Sequence, residues 1–180
     1  MQNSSSSNSS SNALSEVTTI NIPSSVQEIK SGAFKGLENL VSVNFASGSN
    51  LTTLGENAFA YCEKLKNINL PSGITKIPMG AFEMCKELES LSLPPGVTEI
   101  GAQSFSGCEK LAFSSFGSSV TKIGEHAFFG CKGNSTIALP DNISTIGDGA
   151  FAGISQVSAF TVSTSNTNYS VKNGVLYNKA

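Results

Sequence analysis

Six phenylalanines recur along the chain, at Phe34, Phe59, Phe82, Phe105, Phe128 and Phe151, with a first gap of 25 residues and four further gaps of 23. Four cysteines keep the same beat three residues behind, at Cys62, Cys85, Cys108 and Cys131. A fixed period of roughly 20–50 residues is the mark of a stacked-repeat solenoid, in which each repeat forms one rung and packs only on its neighbours. The period restricts the architecture before any element is assigned. It restricts activity far less, because a repeating core is a scaffold and not a site.

Positions within a rung are counted from its phenylalanine. The residue before it is Ala33, Ala58, Ala81, Ser104, Ala127 or Ala150. The phenylalanine, the residue at +3 and an apolar residue at +6 (Leu40, Leu65, Leu88, Leu111) share one face at helical spacing. That spacing predicts a short helix or one to two tight turns. Apolar residues at +9 and +11, such as Ile68 and Leu70, then alternate as in a strand. Proline at +12 (Pro23, Pro71, Pro94, Pro140) removes a ladder donor and stops it. A second apolar pair, as in Val97 and Ile100, precedes each phenylalanine. Glycine often follows that pair (Gly55, Gly101, Gly124, Gly147), where a turn needs permissive backbone.

Six or so inward side chains per rung contribute about 1.5–3 kcal/mol each when fully buried. Ordering the backbone costs roughly 1–2 kcal/mol per residue. A lone rung loses that contest, so stability must come from stacking. The frame extends upstream through Leu14, Val17, Ile20 and Ile22, which gives a solenoid over residues 14–163 with six to seven rungs. Residues 1–13 are dense in Ser and Asn and read as a disordered tether. In residues 164–180, Asn173-Gly174 lies between two short β-rich runs, a hairpin signal. This hairpin either caps the stack or begins a further module. Two extra residues at Ala46–Asn50 and Asn134 in a leucine slot mark irregular rungs.

The stretches "INIPSSVQEIKSGAFKGLENLVSV", "INLPSGITKIPMGAFEMCKELESL" and "IALPDNISTIGDGAFAG" repeat one block, and NYSVKNGVLYNK closes the chain. This pattern resembles the BspA-like class of leucine-rich repeats; Leu37 and Ile154 depart from it at the cysteine position. The resemblance implies an α/β fold: a right-handed, curved leucine-rich-repeat solenoid with a parallel sheet on the concave face and short helical turns opposite. It also implies a secreted or surface-anchored protein of a bacterium or parasitic protist, several of whose relatives are implicated in adhesion. It implies no particular ligand.

Composition excludes some classes. The 11 Lys and Arg are scattered singly in a chain of net charge -2, with no basic stripe for nucleic acid. No apolar run approaches the ~18 residues of a membrane span, so no membrane insertion of this segment is expected. Met1–Asn12 lacks the apolar core of a secretion signal, so a signal or anchor is expected outside this sequence.

Candidate sites follow from the frame. Adjacent cysteines stand one rung apart, within disulfide reach, but stacked side chains point in parallel. Leu37 and Ile154 in the same slot favour free, buried thiols that pack as small hydrophobes. Four ligands in a line cannot surround zinc, so no metal site is expected. His126 falls in a surface turn slot shared with Gly32, Asn57, Gly80, Gln103 and Gly149, with no neighbouring Asp in the same slot pattern to orient it as a base. Acids such as Glu56, Glu99, Glu125 and Asp148 read as a solvated face. No catalytic or cofactor-binding residues emerge, and the expectation is a non-enzymatic protein. Sequons occur at Asn3, Asn8, Asn50, Asn134, Asn142 and Asn168, which matter only in a eukaryotic secretory host.

The outward row of the sheet is the candidate protein-binding face: Asn21, Asn44, Asn67, Asn69, Ser90, Ser92, Phe113, Ser115, Thr136 and Thr161. It should be flat, small and uncharged. Phe113 is the exception, and has two readings: a binding anchor, or an inward side chain replacing Ser114 where the AFSSF stretch slips register. The expected function is a monomeric, surface or secreted recognition module that binds a host matrix or cell-surface protein. The alternative is a spacer displaying another module of a longer surface protein.

Overall fold

The computed structural model describes residues 14–179 except 91 and 114. The tether proposed for 1–13 lies outside the described residues. Thirteen short strands follow one another: β1 (Thr19–Ile22), β2 (Glu28–Ile29), β3 (Ser42–Phe45), β4 (Thr53–Leu54), β5 (Asn67–Ile68), β6 (Lys76–Ile77) and β7 (Glu99–Ile100). Then come β8 (Lys122–Ile123), β9 (Thr136–Ala138), β10 (Thr145–Ile146), β11 (Ala159–Thr161), β12 (Tyr169–Lys172) and β13 (Val175–Asn178).

They form two parallel ladders running the length of a β-solenoid. The first ladder contains β1-β3-β5 and β9-β11, linked by the parallel bridges Asn69↔Ser92, Ser90↔Ala112 and Ser115↔Ala138. The second contains β2-β4 and β6-β7-β8-β10. Register follows the repeat: Val43 pairs Ile68, and Ile77, Ile100, Ile123 and Ile146 pair in succession. Between the ladders, each proline at +12 opens a tight turn, as in Ile74 N–H to Pro71 O at 3.2 Å.

The expected helical turns are not formed. Among the described residues only 14–15 are helical, so the molecule is a β-solenoid of about six turns and not an α/β protein. Of the two structures that the spacing of three allows, the tight turns are formed and the short helix is not. After Phe82, the Cys85 amide donates to Phe82 O (3.2 Å) and the Leu88 amide to Cys85 O (3.1 Å), giving successive three-residue turns. An α-helix would turn every N–H onto its own chain. Here the Gly80, Phe82 and Met84 amides leave the rung and donate to Ala102, Ser104 and Ser106 of the next, at 3.0, 2.8 and 2.7 Å. The turn column is thus a third inter-rung ladder. Its alternating path puts Asn57, Gln103 and His126 at φ of 55°, 56° and 51°.

The core lies between the three ladders. Phe59, Phe82, Phe105 and Phe128 are fully buried and stack along the axis, the Phe59 and Phe82 rings 5.6 Å apart and 2° from parallel. Phe34 and Phe151, in the first and last rungs, are partly buried. A hairpin, β12-β13, sits on the last rung: the Phe160 amide donates to Gly174 O (2.8 Å), and Tyr169 Oη accepts from the Ile146 amide (2.7 Å).

Candidate recognition surfaces

The first ladder carries the sequence-predicted face. Asn21, Asn44, Asn67, Asn69, Ser90, Ser92, Ser115, Thr136 and Thr161 are all exposed on it. Strand alternation places them opposite the buried Val43, Ile68 and Ile137. Neighbouring rungs bond across this face: Asn44 Nδ2 donates to Asn21 Oδ1 (3.0 Å), Ser90 Oγ donates to Asn67 Oδ1 (3.2 Å), and the Thr19 and Ser42 hydroxyls lie 3.1 Å apart. The side chains are small and uncharged, and partly satisfied by one another.

Phe113 does not belong to this face. It is 4% exposed, with its ring 4.5 Å from that of Phe128 and 5.6 Å from Phe116. The cause is a one-residue slip. Asn69↔Ser92 and Ser115↔Ala138 keep the repeat, whereas Ser90 pairs with Ala112 and not Phe113. Ala112 takes the outward slot and the phenyl ring turns into the core, the better place for a large apolar side chain.

A second surface, not singled out from the sequence, lies over the second ladder. A groove of about 630 Å³ crosses four rungs there. One rim is Thr53, Lys76, Glu99 and Lys122; the other is Glu56, Met79, Ala102 and Glu125; Pro78, Gly101 and Gly124 form the floor. These glycines are required by contact and not by a turn: a Cβ on Gly101 would stand 2.7 Å from the Met79 amide nitrogen of the preceding rung. The glycine column is the signal that could have revealed the groove. On the first rim Glu99 sits between two lysines, 2.8 Å from Lys122 and 3.6 Å from Lys76. The hydrogen bond from Lys122 is the main cause that holds the Glu99 carboxyl below its ordinary range.

The four cysteines are free and buried. Each thiol donates to the phenylalanine carbonyl of the preceding rung, from Cys62 to Phe34 O (3.2 Å) through Cys131 to Phe105 O (3.2 Å). Burial pushes Cys62 up to about 11 and Cys131 to about 12. Cys85 and Cys108 are raised well above the ordinary range for the same reason. His126 is partly exposed; its Nδ1 lies 3.3 Å from Glu125 and its ring meets Phe129 edge-on. No group of three potential ligands is placed to hold a metal ion among the described residues. No helix among them is long and apolar enough to cross a membrane.

The family model for the BspA type leucine rich repeat region matches six copies, over residues 6–134 and 75–179. The chain belongs to this family. A leucine rich cell surface protein from Faecalibacterium prausnitzii superposes with a TM-score of 0.84 at 32% identity, over 91% of this chain and 43% of that one. A Treponema pallidum leucine rich repeat protein gives 0.73 at 30%, over 79% and 68%. The pneumococcal vaccine antigen PcpA gives 0.58 at 26%, over 90% and 34%. The repeat region of this BspA-type protein thus spans less than half the length of its Faecalibacterium counterpart. No curated protein matches it.

Proposed function

We propose that this repeat region is a non-enzymatic recognition module of an extracellular or surface protein, binding a host matrix or cell-surface protein through the polar face of the first ladder. The observation that carries the reading is the row of small, uncharged side chains from Asn21 to Thr161, most of them exposed. An extended surface running along the stack is what solenoids commonly bind through. The Faecalibacterium relative is a cell surface protein, which supports the location. The test is attachment of the purified chain to matrix proteins and cells, compared with an Asn69→Lys/Ser92→Lys variant. Loss of attachment in the variant is the expected result; equal attachment would remove the face from the function.

A second reading is a spacer that holds another module away from the cell. It is favoured by the greater length of the relatives, of which this chain spans 43% and 34% in two cases. Deleting the repeats from a longer parent protein while keeping its activity would support it.

A further inference from the structure

The groove over the second ladder is separate from the polar face and has its own chemistry. Its first rim holds one acid between two lysines, Lys76 and Lys122 both engaging Glu99, and its net charge of +1 is outweighed by the two acids of the second rim. Its second rim carries an acid at each end, Glu56 and Glu125, both exposed, with Met79 and Ala102 between them. Glu56 has no ion-pair partner among the described residues, and Glu125 has only the partly exposed His126. Met79 is 42% exposed, an apolar side chain standing in water at the middle of the rim. Gly101 and Gly124 keep the floor clear, since any side chain there would strike the backbone of the rung before.

Glu56 and Glu125 stand three rungs apart, about 14 Å at the ~4.8 Å spacing of paired strands. An extended polypeptide advances ~3.3 Å per residue, so positions i and i+4 are about 13 Å apart. Positions i, i+2 and i+4 of such a strand also project to one side. We propose that the groove binds an extended peptide segment of a partner protein along the stack, with basic side chains at i and i+4 and an apolar one at i+2. The basic groups meet Glu125 and Glu56, and the apolar group covers Met79 and Ala102. Acids at both ends disfavour an anionic ligand, and the absence of an aromatic lining offers a sugar ring no platform.

The probe is a nine-residue, end-blocked peptide centred on lysine-serine-leucine-serine-lysine, titrated against the full chain. Two controls are a peptide with the lysines two apart and one with serine in place of leucine. Binding is expected to fall roughly tenfold in Glu56→Gln/Glu125→Gln and to weaken with salt, as exposed charge pairs do. Both control peptides should bind more weakly than the parent. The Asn69→Lys/Ser92→Lys variant should bind the peptide normally, so failure here and failure of the polar face are separable. No binding, equal binding of the respaced peptide, or indifference to the glutamine substitutions would overturn the proposal. Full displacement by spermidine at matched charge would reassign the groove to small cations.

Discussion

Ser104 shows how strictly the slots are enforced. It stands where the other rungs have alanine, it is fully buried, and its hydroxyl finds no hydrogen-bond partner among the described residues. A buried polar atom without a partner costs about 1–3 kcal/mol. Ser104→Ala should therefore stabilise the chain by about 1 kcal/mol, read as a shift in the urea midpoint at constant slope. The thiols make the opposite case, polar groups whose slot does supply an acceptor. Their protonated form is favoured by burial, and the folded pKa is raised, to about 11 at Cys62 and about 12 at Cys131, from an ordinary 9.0. That contribution to stability is complete below pH 9.0 and is lost as pH rises through the folded values. At pH 8 iodoacetamide should label none of the four thiols in the native chain and all of them in denaturant.

At the scale of elements, the terminal hairpin depends on Asn166. Its Nδ2 donates to Asp141 O (2.8 Å) and Ile143 O (2.9 Å), and its Oδ1 accepts from the Asn168 and Tyr169 amides at 2.8 and 2.7 Å. Four backbone groups hang on one 4%-exposed side chain. Asn166→Ala should free the hairpin from the last rung, seen as faster amide exchange over 166–179 with little change at Phe105. This anchor was not legible in the sequence, whereas Asn173-Gly174 was, because a two-residue turn is local and a contact across 23 residues is not. The strands were legible for the same reason: alternation at +9 and +11 is set by neighbours two apart. The helix misreading has a physical source. Phe82, Cys85 and Leu88 share a face in a helix and in a chain of tight turns alike. Only the destination of the amides between them, which depends on the next rung, separates the two. Phe113 was undecidable locally, since Ala112 and Phe113 differ in fitness for the outward slot only once Phe128 is behind them. The groove needed a contact between glycine and the previous rung that no single repeat contains.

For the whole molecule, three inter-rung ladders and one phenylalanine stack couple each rung to the next. Damage should then depend on position along the stack more than on chemistry. Phe105 is fully buried, with the Phe82 and Phe128 rings each 5.3 Å away on either side. Phe34 has the same side chain but only one stacking partner, Phe59, also at 5.3 Å, and remains partly exposed. Removing a buried aromatic ring costs about 3–5 kcal/mol, and Phe105→Ala should reach that range. In a one-dimensional stack it also weakens two interfaces, so the damage spreads to the rungs on either side. Phe34→Ala weakens one interface at an end, and the loss should be smaller and confined to the first rung. Hydrogen exchange followed by mass spectrometry distinguishes these outcomes. Phe105→Ala should raise exchange on both sides of the site, from Phe59 to Phe151, in one cooperative unit. Phe34→Ala should raise it mainly before Leu54 and leave the hairpin protected. Equal and global loss from both substitutions would mean that the chain unfolds as a single unit, and that neighbour coupling is much stronger than the stacking geometry provides.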